Sequence, residues 1–303
     1  MSSKIEWTDE TWNPVDGCTK VSAGCAHCYA ATFAHRQMGP WKGRAFTDVR
    51  CHPSRLDVPL HWRKPRRVFV NSMSDLFHSD VPDAFIGRVF ERMRLAPGHT
   101  FQVLTKRPER MLAWLSRCGN GGGLGWITHD GSEPERAYGG TGIIVGDADR
   151  WPLPNVWLGV SVENQATADE RIPILLQTPA AHRFVSAEPL LEPIDLSIYL
   201  ASGFDEPPHN DILSWVIVGG ESGVAARPCD VAWVRSIVSQ CQAADVPAFV
   251  KQVGARPIGF LPEARDFPTA LINVGFWIKD SKGGDPAEWP EDLRVRQMPE
   301  VRP

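Results

Sequence analysis

A basic excess is missing from this chain of 303 residues: Lys and Arg together number 32 against 36 Asp and Glu, a formal net charge of −4. That excludes the strongly cationic surface of a dedicated nucleic-acid packaging protein, while an average of this kind leaves room for a local patch. The densest basic run is HWRKPRR, from His61 to Arg67, which reads as a solvated stretch leading into a strand. Long apolar runs are missing too. No segment approaches the length that crosses a bilayer, and the opening MSSKIEWTDETWNP has neither the apolar core nor the cleavage site of a leader. The expectation is a cytoplasmic protein with no membrane partner. A disulfide framework is also absent: the seven cysteines are odd in number, and Cys51, Cys118, Cys229 and Cys241 are scattered, which suits reduced thiols. Nor is there a P-loop, because GNGGGLG and YGGTG are followed by no lysine and hydroxyl pair in the required order.

What the chain does have is a hydrophobic content of 43%, ample for a large core, and a repeating order of short apolar strand, polar loop and helix. RVFVN (67–71) is followed by SMSD and a helix with Phe85, Ile86, Val89, Phe90 and Met93 on its apolar face. FQVL (101–104) hands over to TKR and a helix from Pro108. VWLGV (156–160), RFV (183–185), WVIV (215–218) and AFV (248–250) continue the series, with SVEN, SAEP, GGESG and KQ at their ends. Short non-alternating strands separated by helices predict a parallel sheet covered on both faces. Six or seven such units predict an α/β fold, a partial or complete parallel βα barrel, TIM-barrel-like. Its expected extent is residues 1–253, with 118–154 as a glycine-rich insertion or lid. Residues 254–303 are expected to form an irregular extension packed on the barrel through Trp289 and Leu293.

Near the start, GCTKVSAGCAHCYA places Cys18, Cys25 and Cys28 within eleven residues, ahead of a helix predicted over YAATFAHRQMG and ended by Gly39-Pro40. Three thiolates can hold a metal centre and leave one coordination position open, which a reactive centre needs and a structural one does not. Soft sulfur suits iron–sulfur clusters and zinc alike. A closed zinc site would need a fourth ligand from His27, His35, Cys51 or His52, and there is one C-x-x-C with no second pair. A structural zinc-binding protein that interacts with nucleic acid or a partner protein without catalysis is therefore the alternative to a cluster enzyme.

The three-cysteine loop ahead of βα units resembles the radical S-adenosylmethionine superfamily. That resemblance implies a [4Fe–4S] cluster on Cys18, Cys25 and Cys28, with S-adenosylmethionine bound at the open iron. It also implies an external electron donor and a 5′-deoxyadenosyl radical that attacks a substrate. Six residues separate the first two cysteines where three are usual, and His27 stands where an aromatic residue is common. Over nearly the whole chain, WNPVDGCTKVSAGCAHCYA, FVNSMSDLFH, FQVLTKRPERM, VWLGVSVENQ, RFVSAEPLLEPIDL, WVIVGGESG and KGGDPAEWPEDLRVRQ resemble a bacteriophage and prophage family that shares the three-cysteine motif. That family carries no assigned reaction. Its viral setting favours a nucleoside or nucleic acid as substrate.

With ligands of βα folds bound at the carboxyl ends of strands, the polar strand ends become the expected cofactor site. Asn71, Ser72, Ser74 and Asp75 lie where the superfamily binds the cofactor's amino group, without its usual Gly-Gly-Glu. Ser161, Glu163, Asn164, Ser186, Glu188 and Glu221 are hydrogen-bonding groups suited to ribose hydroxyls and a sulfonium-bearing ligand. Lys106, Glu188 and Lys251 are the candidate catalytic residues. Lys106, Arg107 and Lys251 are suited either to a substrate carboxylate or phosphate or to ion pairs with these acids. Trp7, Trp12 and the other dispersed tryptophans read as packing residues rather than base-stacking platforms.

Overall fold

The computed structural model describes residues 5–119, 152–200, 213–259 and 278–300, so the expected glycine-rich lid lies almost entirely outside the described residues. The short strands β1 (Glu10–Trp12), β2 (Val15–Asp16) and β3 (Arg50–Cys51) flank α1 (Tyr29–His35). There follow β4 (Arg67–Val70), α2 (Asp83–Leu95), β5 (Thr100–Thr105), α3 (Pro108–Gly119), β6 (Val156–Ser161), α4 (Gln165–Gln177) and β7 (His182–Ala187). The chain ends with α5 (Ser197–Leu200), β8 (Trp215–Gly219), β9 (Cys229–Asp230), α6 (Val231–Ala243), β10 (Ala248–Gln252) and β11 (Pro257–Ile258).

Seven strands form one sheet in the order β1-β4-β5-β6-β7-β8-β10. Each strand is added on the same side as the chain advances, the winding that βα barrels share and that doubly wound sheets reverse. The registers are parallel, with Trp12 opposite Val70, Val70 opposite Val103 and Val185 opposite Val216. β6 and β8 are buried at every position. That is why these segments read as continuous apolar runs: a parallel strand has helices over both faces and no solvent side.

The chain divides into two units, one of Met1–Val21, Cys28–Val160 and Pro173–Arg183, the other of Ser22–His27, Ser161–Ile172 and Phe184–Pro303. In the first, α2 buries Phe85, Ile86, Val89, Phe90 and Met93, whose spacing of one and three to four residues lines one side of a helix. In the second, α6 buries Val231, Val234, Ile237, Val238 and Cys241 by the same rule, and the Asp230 carboxylate accepts from Ala232 N at its start (2.9 Å). α1 stops at His35, short of the Gly39-Pro40 signal. Gln37 takes up a left-handed backbone (φ 52°), and its side chain bonds Ala34 O (3.3 Å), Arg44 O (3.1 Å) and Gly43 N (2.8 Å). A polar side chain that satisfies the frayed turn ends the helix early.

The tail from residue 278 protects the free edge of the second unit. Val250 N donates to Val295 O and Gln297 N to Ala248 O, both 2.8 Å, so the unpaired side of β10 is covered. Trp289 and Leu293 are buried, the Trp289 indole donates to Gly283 O (2.9 Å), and the Arg296 guanidinium lies 5.2 Å from the Trp289 ring centroid. Trp289→Ala is expected to cost about 3–5 kcal/mol, as for other buried tryptophans. Urea unfolding monitored by circular dichroism checks this, and an unchanged midpoint would mean that the tail does not hold the edge.

Candidate functional site

Cys18 follows Gly17, and that glycine is required. Its φ is +92°, and a Cβ there would meet Asp48 O at 2.5 Å. Backbone bonds from Gly17 N to Met73 O (3.1 Å) and from Cys18 N to Phe46 O (2.9 Å) then set where the thiol starts. Beneath it, the Asp16 carboxylate is buried against Arg44 (2.5 Å), His52 (2.9 Å) and Arg55 (3.1 Å). Burial opposes its ionisation, but His52 and Arg44 hold the carboxyl below the usual range.

The other side of Cys18 is set by Arg107. Its Nη1 donates to Asp75 Oδ2 (3.0 Å) and lies 3.7 Å from Cys18 Sγ, while Nη2 donates to Thr19 O (3.0 Å) and Thr19 Oγ1 (3.1 Å). Burial disfavours the guanidinium charge, yet Asp75 and Cys18 outweigh it and raise its pKa. Asp75 is fully used: Oδ1 accepts from Phe77 N (2.9 Å) and Thr105 Oγ1 (2.8 Å), and Oδ2 also accepts from Lys106 N (3.1 Å). Ser72 Oγ donates to Asn13 Oδ1 (3.2 Å) and Ser74 Oγ to Val15 O (2.9 Å). Asn71 is different. Its Oδ1 accepts from Val15 N (3.2 Å), but its buried Nδ2 has no protein partner, and a buried amide donor of this kind calls for an acceptor.

In the second unit the segment Ser22–His27, which carries Cys25, is held by two carboxylate–arginine pairs. Glu163 is buried, accepts from Ser22 Oγ (2.8 Å), and pairs with buried Arg171 (3.2 Å), which also donates to Ser161 O (2.7 Å). A side chain at Gly24 would meet Glu163 Oε1 at 2.4 Å, so glycine lets the loop lie against the carboxylate. Glu221 accepts from His27 Nδ1 (3.0 Å) and from Arg227 N, Nε and Nη2 (2.9, 2.9 and 2.6 Å), and Arg227 Nη1 donates to Ala23 O (3.0 Å). Ser186 Oγ donates to Glu188 Oε2 (3.1 Å), and Glu188 Oε1 pairs with Lys251 Nζ (3.0 Å). Asn164 starts α4 by accepting from Thr167 N (3.0 Å).

Asp75, Glu163 and Glu221 are thus engaged in holding the chain around the cysteine loop. Of the cations left open between substrate and ion pair, Lys106, Arg107 and Lys251, Arg107 and Lys251 are in ion pairs, and the Lys106 backbone N–H donates to Asp75. Arg171 and Arg227 escaped sequence reasoning, although buried strand-end acids require cations nearby. Arg66 and Arg67 of the basic run pair with Glu10 and Asp9.

Cys18, Cys25 and Cys28 are free thiols, each half-buried, and nothing commits them to disulfides. The other described cysteines are chemically remote from that state. Burial pushes Cys51 up to about 11 and Cys229 and Cys241 up to about 12, which leaves them poor ligands and nucleophiles. The donor set therefore fits a soft metal centre. Among the described residues, however, no three His, Cys, Asp or Glu side chains meet in a metal-binding set. Of the possible fourth zinc ligands, His27 and His52 face carboxylates, and Cys51 lies in β3 opposite Val15. No helix among the described residues is long and apolar enough to cross a membrane.

Burial would raise the Glu221 carboxyl, but hydrogen bonds from Arg227 and His27 bring it down to about 2. A depressed folded-state value stabilises above the unfolded value of about 4.3, and that contribution fades as pH falls toward 2. The stability difference between the parent and Glu221→Gln is expected to be full at pH 7 and to shrink steadily below about pH 5. Urea midpoints for both proteins across that range check this; a difference independent of pH would contradict it.

A family model described as "Protein of unknown function (DUF5131)" matches residues 2–266. Neither a curated protein nor a solved structure matches the chain. The matched stretch contains the cysteine loop and every strand-end residue named above, so the chain belongs to the DUF5131 family.

Proposed function

We propose that the protein is a cytoplasmic iron–sulfur enzyme of the radical S-adenosylmethionine class, acting on a substrate that the motif does not identify, with a nucleoside or nucleic acid as the favoured class. The reading takes the sheet as a partial, TIM-barrel-like βα barrel and takes Cys18, Cys25 and Cys28 as ligands of a [4Fe–4S] cluster. When bound, cluster and cofactor supply the one-electron chemistry that makes a 5′-deoxyadenosyl radical, with an external donor providing the electron.

The observation that carries the reading is the contrast among thiols. Three half-exposed cysteines share one loop, while Cys229 and Cys241 are buried and Cys51 is held in a strand pair. The chain's own residues have definable work in this scheme. Arg107 places a fixed positive charge 3.7 Å from Cys18 Sγ. The Glu163–Arg171 and Glu221–Arg227 pairs hold the Cys25 segment by Ser22 Oγ and Ala23 O. Asn71 Nδ2 is a buried donor with capacity for a ligand acceptor.

The test is anaerobic reconstitution with iron and sulfide, followed by reduction in the presence of S-adenosylmethionine. The parent is expected to turn brown, to absorb broadly near about 400 nm, and to release 5′-deoxyadenosine. Cys25→Ala is expected to lose both properties. Equal cleavage by the two proteins would remove Cys25 from the mechanism. A colourless adduct with one zinc per chain would replace the enzyme with a structural zinc protein, and an intact cluster that never cleaves the cofactor would leave a binding protein.

A further inference from the structure

Beside the cysteine loop the first unit carries an exposed face of unusual composition. Among the described residues, of the large apolar side chains that stand in solvent, Val21, Tyr29, Phe33 and Met38 fall within eighteen residues of one another, and Tyr29 and Phe33 are the aromatic ones. They are 55% and 48% exposed. On α1 they are separated by four residues and therefore share a side of the helix. Burying Ala30 and Ala34, α1 uses its small residues for packing and leaves its two rings outside. That is the reverse of the arrangement expected when aromatics serve a core.

The rings are held rather than loose. Tyr29 Oη donates to Ser72 O, and the Arg36 guanidinium lies 5.8 Å from the Phe33 ring centroid. Charge is biased as well. From Gly17 to Thr47 there is no Asp or Glu, although acids outnumber bases over the whole chain. Lys20, Arg36 and Lys42 of this stretch are exposed. A solvated helix face ordinarily carries both signs; this one carries a single sign together with two fixed rings.

We infer that this face binds single-stranded nucleic acid, with bases stacked on Tyr29 and Phe33 and phosphates met by Arg36, Lys42 and Lys20. Stacking accepts any base, because every base has a π-face, and the cations track the backbone. An acidic protein would be met by the cations alone and would have no use for two exposed rings. A second copy docking through the same face would set Lys20, Arg36 and Lys42 against their own like charges. The inference rests on the proposed function only in giving the cysteine loop a substrate of the favoured class, since Tyr29 directly follows Cys28.

The experiment is fluorescence anisotropy of labelled oligo-dT and oligo-U of about 12 nucleotides, within the range of known single-strand site sizes. The full-length protein is used, and binding is followed from about 50 to 200 mM salt. Binding that weakens with salt is expected for at least one oligonucleotide. Phe33→Ala is expected to lose about tenfold in affinity, with Phe33→Trp retaining it, and Arg36→Glu to lower the salt slope. Each variant is checked for a parent-like thermal melt. Lys64→Glu, in the separate basic run, is expected to bind as the parent does. No binding to either strand, equal affinity of Phe33→Ala and parent, loss in Lys64→Glu instead, or displacement by polyglutamate as effective as by unlabelled strand would each overturn the inference. So would self-association in sedimentation velocity that Phe33→Ala abolishes while the oligonucleotides stay unbound. The readout requires no cofactor cleavage, so its failure and the failure of the radical reading are separate results.

Discussion

Buried carboxylates tied to arginines are what the cysteine loop depends on. The only regular structure in the loop is a three-residue turn of 3₁₀ helix at Ala23–Cys25, so side-chain bonds add to the few backbone ones that fix it. In the first unit Asp16 with Arg44 and Asp75 with Arg107 hold the approach to Cys18. In the second, Glu163 with Arg171 and Glu221 with Arg227 hold the segment around Cys25. Arg107 reaches Thr19 O, Glu163 reaches Ser22 Oγ and Arg227 reaches Ala23 O, so three of the four ion pairs do more than neutralise one another. Such pairs give little net stability compared with apolar residues of the same size, but loss of one partner leaves an uncompensated buried charge, at about 3–5 kcal/mol. Their value lies in fixing geometry, and the glycines at 17 and 24 allow the close approach that the fixed geometry needs.

The seven-stranded order was legible because parallel strands buried on both faces write themselves as short apolar runs. RVFV, VWLGV and WVIV each became a strand at nearly the expected position. Helix α1 was legible in its start and not in its end, because the side-chain bonds of Gln37 that terminate it depend on Arg44 and Gly43. The strand-end acids were legible as a group by position, since short polar segments follow six of the sheet strands. Their roles were not. Sequence order alone does not show that Glu221 meets His27 and Arg227, or that Lys251 meets Glu188. The cations that partner these acids lie six to sixty-three residues away in sequence, at distances set only by the tertiary fold.

The division of labour that results is physically coherent. Carboxylates and arginines immobilise the loop, three thiols remain outside the packed interior, and one orphan donor, Asn71 Nδ2, stays unpaired at a neighbouring strand end. The proposed cluster chemistry gives that arrangement a purpose, because a reactive centre has to be held in place with one position left open.

The most direct measurement is thiol alkylation, read residue by residue by mass spectrometry, before and after anaerobic reconstitution with iron and sulfide. The account predicts that Cys18, Cys25 and Cys28 become protected together while the reactivity of Cys51 is unchanged. Persistent alkylation of any one of the three in protein that has taken up its iron would contradict the claim that they act as one ligand set.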